Sequence, residues 1–331
     1  MKNIAILSSS HEVGAYLADL RRRGVQTLAL DLEADQGMYR YRYSISIFQC
    51  FDGSGHTIID VLALKDFVEL RELLEAPDIV KIMFSSKNDL FITQNVLDCT
   101  IVPIRDIAAA QKILGLKVNL SDRIGIDKAA KDTFQRANWL KRPLSKELLQ
   151  YAAGDVEPLI DMEAELRGLM AEKRAADRYR DACAALCRAN YRMDQYLRYR
   201  EKFPGYRRLS PEKKELARLV WIFRELVGEH FDRPVGYILS TKALPAIIDG
   251  FADPGSELRA AALAAHLAAE LDRGRNAGRR IDPKLVAAKL AAAERAAAEP
   301  TAADSASAGP ATSDSGRSSG PPKRPRRSRS H

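Results

Sequence analysis

Two carboxylates, Asp31 and Glu33, close an apolar run, Thr27-Leu28-Ala29-Leu30-Asp31-Leu32-Glu33. A run of this kind reads as a buried strand. Side chains two apart on a strand share a face, so the two acids project together at its end. Such a pair repels itself unless one acid holds a proton or a hard cation such as Mg2+ or Mn2+ lies between them. A third acid, Asp89, follows a second apolar run (Lys81-Ile82-Met83-Phe84) at the point where a helix begins. A fourth, Asp155, lies four residues after Tyr151 in Tyr151-Ala152-Ala153-Gly154-Asp155. On a helix that spacing puts phenol and carboxylate on one face, about 5 to 6 Å apart at Cβ. Four acids and a tyrosine can converge on a pair of divalent ions, as in two-metal sites.

These residues need a scaffold, and the chain supplies an alternating one. Over residues 1–172, strands are expected at Ile4 to Leu7, Thr27 to Leu32, Ser44 to Phe51, His56 to Val61 and Ile79 to Phe84. Helices are expected from the Ser8-Ser9-Ser10 cap to Arg22, from Leu64 to Leu74, and onward from Ser145. Asp52-Gly53-Ser54-Gly55 is a hairpin turn between two of the strands, which makes the sheet mixed. No Gly-rich turn follows the first strand, so a dinucleotide-binding fold is disfavoured. Beyond residue 172 the text turns helical: a connector over 173–205, a helical domain over 206–285, then an Ala-rich helix and a basic disordered tail over 286–331. Ser210 and Pro211 suit the cap and first position of a helix.

The 331 residues, 46% of them hydrophobic, suit two domains and a tail. A net charge of +8 favours a polyanionic partner, and residues 300–331 alone carry +4. The four cysteines form no CxxC pair and read as buried free thiols. No run of about 18 apolar residues marks a membrane span, and the opening residues lack a signal-peptide pattern, so a cytoplasmic protein is expected.

The order of these motifs resembles the DEDDy class of 3'-to-5' exonucleases. Asn138-Trp139-Leu140-Lys141-Arg142-Pro143-Leu144-Ser145 is similar to the Trp-x-x-Arg-Pro-Leu lead-in of ribonuclease D, and Asp127-Lys128, Gln135 and Gln49 sit where that family has them. The resemblance covers about residues 4–170. Leu209 to Leu244, with Trp221, Arg224 and Arg233-Pro234, resembles the HRDC helical domain that follows the nuclease in that family. The resemblance implies an α/β ribonuclease H-like exonuclease domain with a mixed sheet, an all-α HRDC-like domain, and two divalent ions (Mg2+ or Mn2+) held by Asp31, Glu33, Asp89 and Asp155. Tyr151 would orient the attacking water. The implied partner is the single-stranded 3' end of RNA, tRNA precursors among them, and the expected state is a monomer. Met38, Tyr39, Arg40, Gln49 and Arg142 are the candidate substrate contacts. The chain departs from the family in having Phe84 where a His is frequent. It also departs in Ala34 to Tyr43, which lacks the Thr-Tyr-x-Pro pattern and offers tyrosines interleaved with arginines. Trp221 and Leu226 read as core residues rather than stacking platforms. A DNA-directed exonuclease and a catalytically silent RNA-binding scaffold stand as the alternative readings.

Overall fold

The structure is a computed structural model that describes residues 3–116, 120, 128–251, 259–273 and 282–298. Asp127 and the tail beyond residue 298 lie outside them. Among the described residues, six strands form one sheet: β1 (Ile4–Leu7), β2 (Thr27–Gln36), β3 (Tyr43–Phe51), β4 (His56–Asp60), β5 (Val80–Met83) and β6 (Ile104–Asp106), in spatial order β1-β4-β3-β2-β5-β6. The sheet is mixed, as expected: β2 runs antiparallel to β3 and parallel to β5. Leu28, Ala29 and Leu30 are buried in succession, so β2 is apolar on both faces rather than alternating. The turn joining β3 to β4 is held by Asp52, whose Oδ1 accepts the Ser54 and Gly55 N–H at 2.8 Å each, while Gly53 takes φ +89°.

Helices cover the sheet. α1 (Ser10–Arg22) is capped by Ser9, and α2 (Val68–Glu75) begins four residues later than its apolar spacing suggested, behind a short 3-10 turn at Val61–Ala63. α3 (Lys87–Val96) and α4 (Ile107–Leu114) follow β5 and β6. α5 (Lys128–Gln135) leads to α6 (Lys146–Val156), α7 (Leu159–Glu172) and α8 (Ala176–Arg188). Leu17, Leu30, Phe48, Ile82, Leu90, Val156 and Met162 share the main core.

A second core is built chiefly from helices. After a one-turn α9 (Tyr199–Lys202), the 20-residue α10 (Pro211–His230) starts at Ser210, whose Oγ accepts the Lys213 N–H at 3.3 Å. Phe223, Val227 and Trp221 pack with α11 (Val235–Ile238), α12 (Leu244–Asp249), α13 (Arg259–Arg273) and α14 (Pro283–Ala298). The segment expected as one connector is shared between the cores: Tyr179 and Cys183 join the first, Tyr199 and Phe203 the second. The Ala-rich α14 inserts Val286, Leu290 and Ala293 into the helical core instead of leaving it.

Among the described residues, the units are joined on two sides. The extended chain after α8 is hydrogen-bonded along α3: Gln94 Nε2 donates to Ala189 O (3.1 Å), Tyr191 N to Gln94 Oε1 (2.8 Å), Asn95 Nδ2 to Tyr191 O (3.0 Å) and Met193 N to Asn95 Oδ1 (2.9 Å). On the other side, the loop between β2 and β3 reaches α10, where the Tyr41 hydroxyl donates to Glu225 Oε2 at 3.1 Å and its N–H to Asp232 Oδ1 at 3.2 Å. Gly228 admits that approach, since a Cβ there would lie 3.1 Å from Tyr41 Cδ2, 3.1 Å from Arg233 O and 3.0 Å from Val235 Cγ1. Gly228→Ala is therefore expected to lower stability by about 1–3 kcal/mol through overpacking, read as a reduced midpoint in thermal unfolding.

Candidate active site

The acids of β2 lie inside the strand rather than at its end, because pairing with β3 continues through a register shift after Glu33 as far as Gln36. Asp31 stands opposite Gln49, a fully buried residue whose Nε2 donates to Asp31 Oδ2 at 3.1 Å. Gln49, a candidate substrate contact, thus hydrogen-bonds the carboxylate across the strand pair.

Asp89 is set by a helix start. Ser86 donates both its N–H and its hydroxyl to Asp106 Oδ2 at 2.6 Å, while Asp106 Oδ1 accepts the Ala109 N–H at 2.8 Å and caps α4. One buried carboxylate therefore ties the first turn of α3, with Asp89 in it, to the end of β6. Ser85 just before adopts φ +60°. On α6, started by Ser145 accepting the Leu148 N–H at 3.3 Å, Tyr151 and Asp155 stand one turn apart and the phenol hydrogen-bonds the carboxylate. The Tyr151 ring stacks on Phe134 (centroids 4.6 Å) and leans on Trp139 (6.3 Å), and Trp139 Nε1 donates to Phe134 O.

Asp31, Glu33, Asp89, Tyr151 and Asp155 all line one cavity of about 440 Å³, together with Phe84, Asn88 and Gln135. Its electrostatics are those of crowded acids. Desolvation, followed by the charges of Asp31, Asp155 and Asp89, raises the Glu33 carboxyl well above the usual carboxylate range. Desolvation and the charges of Asp31 and Asp106 do the same to Asp89. Burial, the Asp155 charge and the hydrogen bond to it raise the Tyr151 phenol, which stays protonated. Among the described residues no three acid, His or Cys side chains close to a ready-made coordination shell; the four carboxyls ring the cavity. Their chemistry nonetheless suits hard divalent cations, which take oxygen ligands and offset the desolvation and repulsion that raise Glu33 and Asp89.

The candidate substrate contacts separate. Met38 and Tyr39 are exposed, and the loop is fixed by Asp35 accepting the N–H groups of Met38, Tyr39 and Arg40. Arg40 points to Asp232 at 3.4 Å, Tyr41 packs against the helical unit, and Tyr43 meets Phe91 edge-on, so the tyrosine series does not present one stacking surface. Arg142, expected at the substrate, is instead a clamp. Its Nε and Nη2 donate to Asp60 at 2.7 Å, and further bonds reach Trp139 O, Lys141 O and Ser46, leaving no N–H over. Ser46 Oγ in turn donates to Trp139 O, so the Trp-x-x-Arg segment is pinned to β3 beneath Tyr151. Asp106, Ser86 and Asn88 carry no recognisable spacing and went unnoticed in the sequence.

A family profile described as 3'-5' exonuclease matches residues 5–171, half of the chain. The chain belongs to the 3'-5' exonuclease family. Its relatives in that family bear out the ribonuclease D resemblance. Ribonuclease D of Haemophilus influenzae is 30% identical over 229 residues, 66% of this chain and 56% of that protein. The exosome complex exonuclease RRP6 of Saccharomyces cerevisiae is 26% identical over 268 residues, 73% of this chain and 35% of that protein. The crystal structure of Escherichia coli RNase D superposes with a TM-score of 0.68 over 90% of this chain and 78% of that one, at 21% identity. The chain spans 56–58% of the length of the first two ribonucleases D it matches.

Two consequences of this geometry are measurable. Glu33→Gln should raise the stability of the metal-free chain by about 1–2 kcal/mol near pH 8, because it removes a buried carboxyl that must either keep its proton or carry a desolvated charge. A raised carboxyl binds its proton more tightly folded than unfolded, so its stabilising effect is complete below the unfolded value of about 4.3 and is lost as pH rises through the folded value. The variant's advantage should therefore grow from pH 5 to pH 8 in thermal melts with EDTA. Arg142→Ala should cost about 2–3 kcal/mol of stability by stranding Asp60, whereas a simple substrate contact would raise KM and leave the melt unchanged.

Proposed function

We propose that this exonuclease is a metal-dependent 3'-to-5' exoribonuclease that releases nucleoside 5'-monophosphates. The observation that carries this is the meeting of four carboxyls and Tyr151, from three separate elements, around one cavity. The ribonuclease D relatives support RNA as the substrate. In this reading Asp31, Glu33, Asp89 and Asp155 hold two divalent ions, Mg2+ or Mn2+. When bound, these supply a water of lowered pKa and offset the charge that develops on the phosphate. Tyr151, kept protonated, orients the water by hydrogen bond and does not take its proton. Gln49 keeps the Asp31 carboxylate aimed into the cavity. Met38 and Tyr39, exposed just beyond Gln36 of the cavity wall, grip the terminal base.

The helical unit reads as an HRDC-like module that adds nucleic-acid affinity, with the basic tail adding to the salt dependence of binding. The substrates are 3' ends of tRNA precursors or other small RNAs, trimmed in the cytoplasm by a monomer. Among the described residues no helix is long and apolar enough to cross a membrane.

The deciding assay follows 5'-labelled single-stranded RNA and a matched DNA strand with Mg2+, Mn2+ or EDTA. A metal-dependent ladder shortening from the 3' end is expected. Asp31→Asn and Asp155→Ala should lose a factor on the order of 10³, about 4 kcal/mol, and Tyr151→Phe roughly tenfold. Near-normal rates in Asp31→Asn, or binding with no shortening, would overturn the proposal.

A further inference from the structure

Between the two units lies a second cavity, about 310 Å³, that shares Gln36 with the acid-lined one. Its charge is opposite: Arg42, Arg198, Lys202 and Arg224 line it, against the single carboxylate of Glu225. Arg224 is 1% exposed. Its guanidinium lies 4.0 Å over the Trp221 ring, donates to Thr241 Oγ1 at 2.8 Å and is 3.4 Å from Glu225 Oε1, but its buried Nε has no partner. The buried Nε of Arg42 has none either, with the guanidinium held between the rings of Tyr41 (4.7 Å) and Tyr196 (5.9 Å). Glu225 is already occupied by the Tyr41 hydroxyl and Arg224.

Four cations facing one engaged carboxylate repel one another, and a buried guanidinium with an unused N–H is costly. An anion with several oxygens relieves both costs, and a phosphate matches the planar donor fork of arginine. We propose that this cleft binds an internal phosphodiester of the RNA strand, upstream of the bond being cut. The inference rests on the exoribonuclease reading for the direction of the strand: with the 3'-terminal nucleotide among the acids, the chain leaves past Gln36 into the basic cleft. The site thereby distinguishes a strand from a short oligonucleotide by reach, without reading its bases.

The test is fluorescence anisotropy of 5'-labelled RNAs of 2, 4, 8 and 12 nucleotides with the full chain in EDTA, where no turnover is needed. For Arg198→Ala and Lys202→Ala, both outside the buried core, 8- and 12-nucleotide RNAs should bind about five- to tenfold more weakly at 0.1 M salt, with each salt slope reduced by about one. The gap should close for the dinucleotide. Unchanged affinity for the 12-nucleotide RNA in the double variant overturns the proposal, as does equal weakening at every length. Inorganic phosphate and a nucleoside 5'-monophosphate serve as competitors. Displacement of the dinucleotide as readily as of the 12-nucleotide RNA would assign the cleft to free phosphate and also overturn it. Length-dependent loss of binding in a protein that shortens no RNA would sink the exoribonuclease reading and leave this site standing. Shortening with unaltered binding would do the reverse.

Discussion

Four carboxyl groups around one cavity repel one another, and holding them there is the constraint that the rest of the structure meets. Asp31, Glu33, Asp89 and Asp155 come from a strand and two helices, so no local motif secures them. Asp31, Asp89 and Asp155 are each backed by contacts that fix them against that repulsion. Gln49 bonds Asp31, the Ser86–Asp106 pair seats the helix of Asp89, and the cap of α6 and its aromatic bed seat Tyr151 and Asp155. The cost is borne by a large apolar core on both faces of β2.

Much of this was legible because the signals were local. Ser9, Ser145 and Ser210 cap helices where their spacing placed them, and the Asp52 turn sits between the strands it was expected to join. The five catalytic candidates were found from residue type and order, and the fold brings them to one cavity. What the text concealed depends on tertiary contacts. β2 continues through the polar Ala34-Asp35-Gln36 because β3 supplies its hydrogen bonds, and β6, three residues long, has no periodicity to detect. Arg142 resembled a substrate contact, since nothing in the sequence says that Asp60 and Ser46 lie within its reach. Asp106 carries no local signal, since its role comes from Ser86, twenty residues away.

The helical unit illustrates the same distinction. Its helix starts were readable, but its limits were not, because the side chains that close its core, Tyr199 and Val286 among them, come from segments whose composition suggested a connector and a tail. Composition reports solubility and propensity, whereas membership in a core is a matter of who meets whom.

The extended chain that leaves α8 runs along α3, the helix that begins beside Asp89, and is stitched to Gln94 and Asn95 by four hydrogen bonds. Swinging the helical unit outward must therefore either unstitch those bonds or drag α3 along. The tether works as a lever whose short arm ends at Asp89 in the acid-lined cavity, so a load placed on the helices is felt mechanically among the four carboxyls.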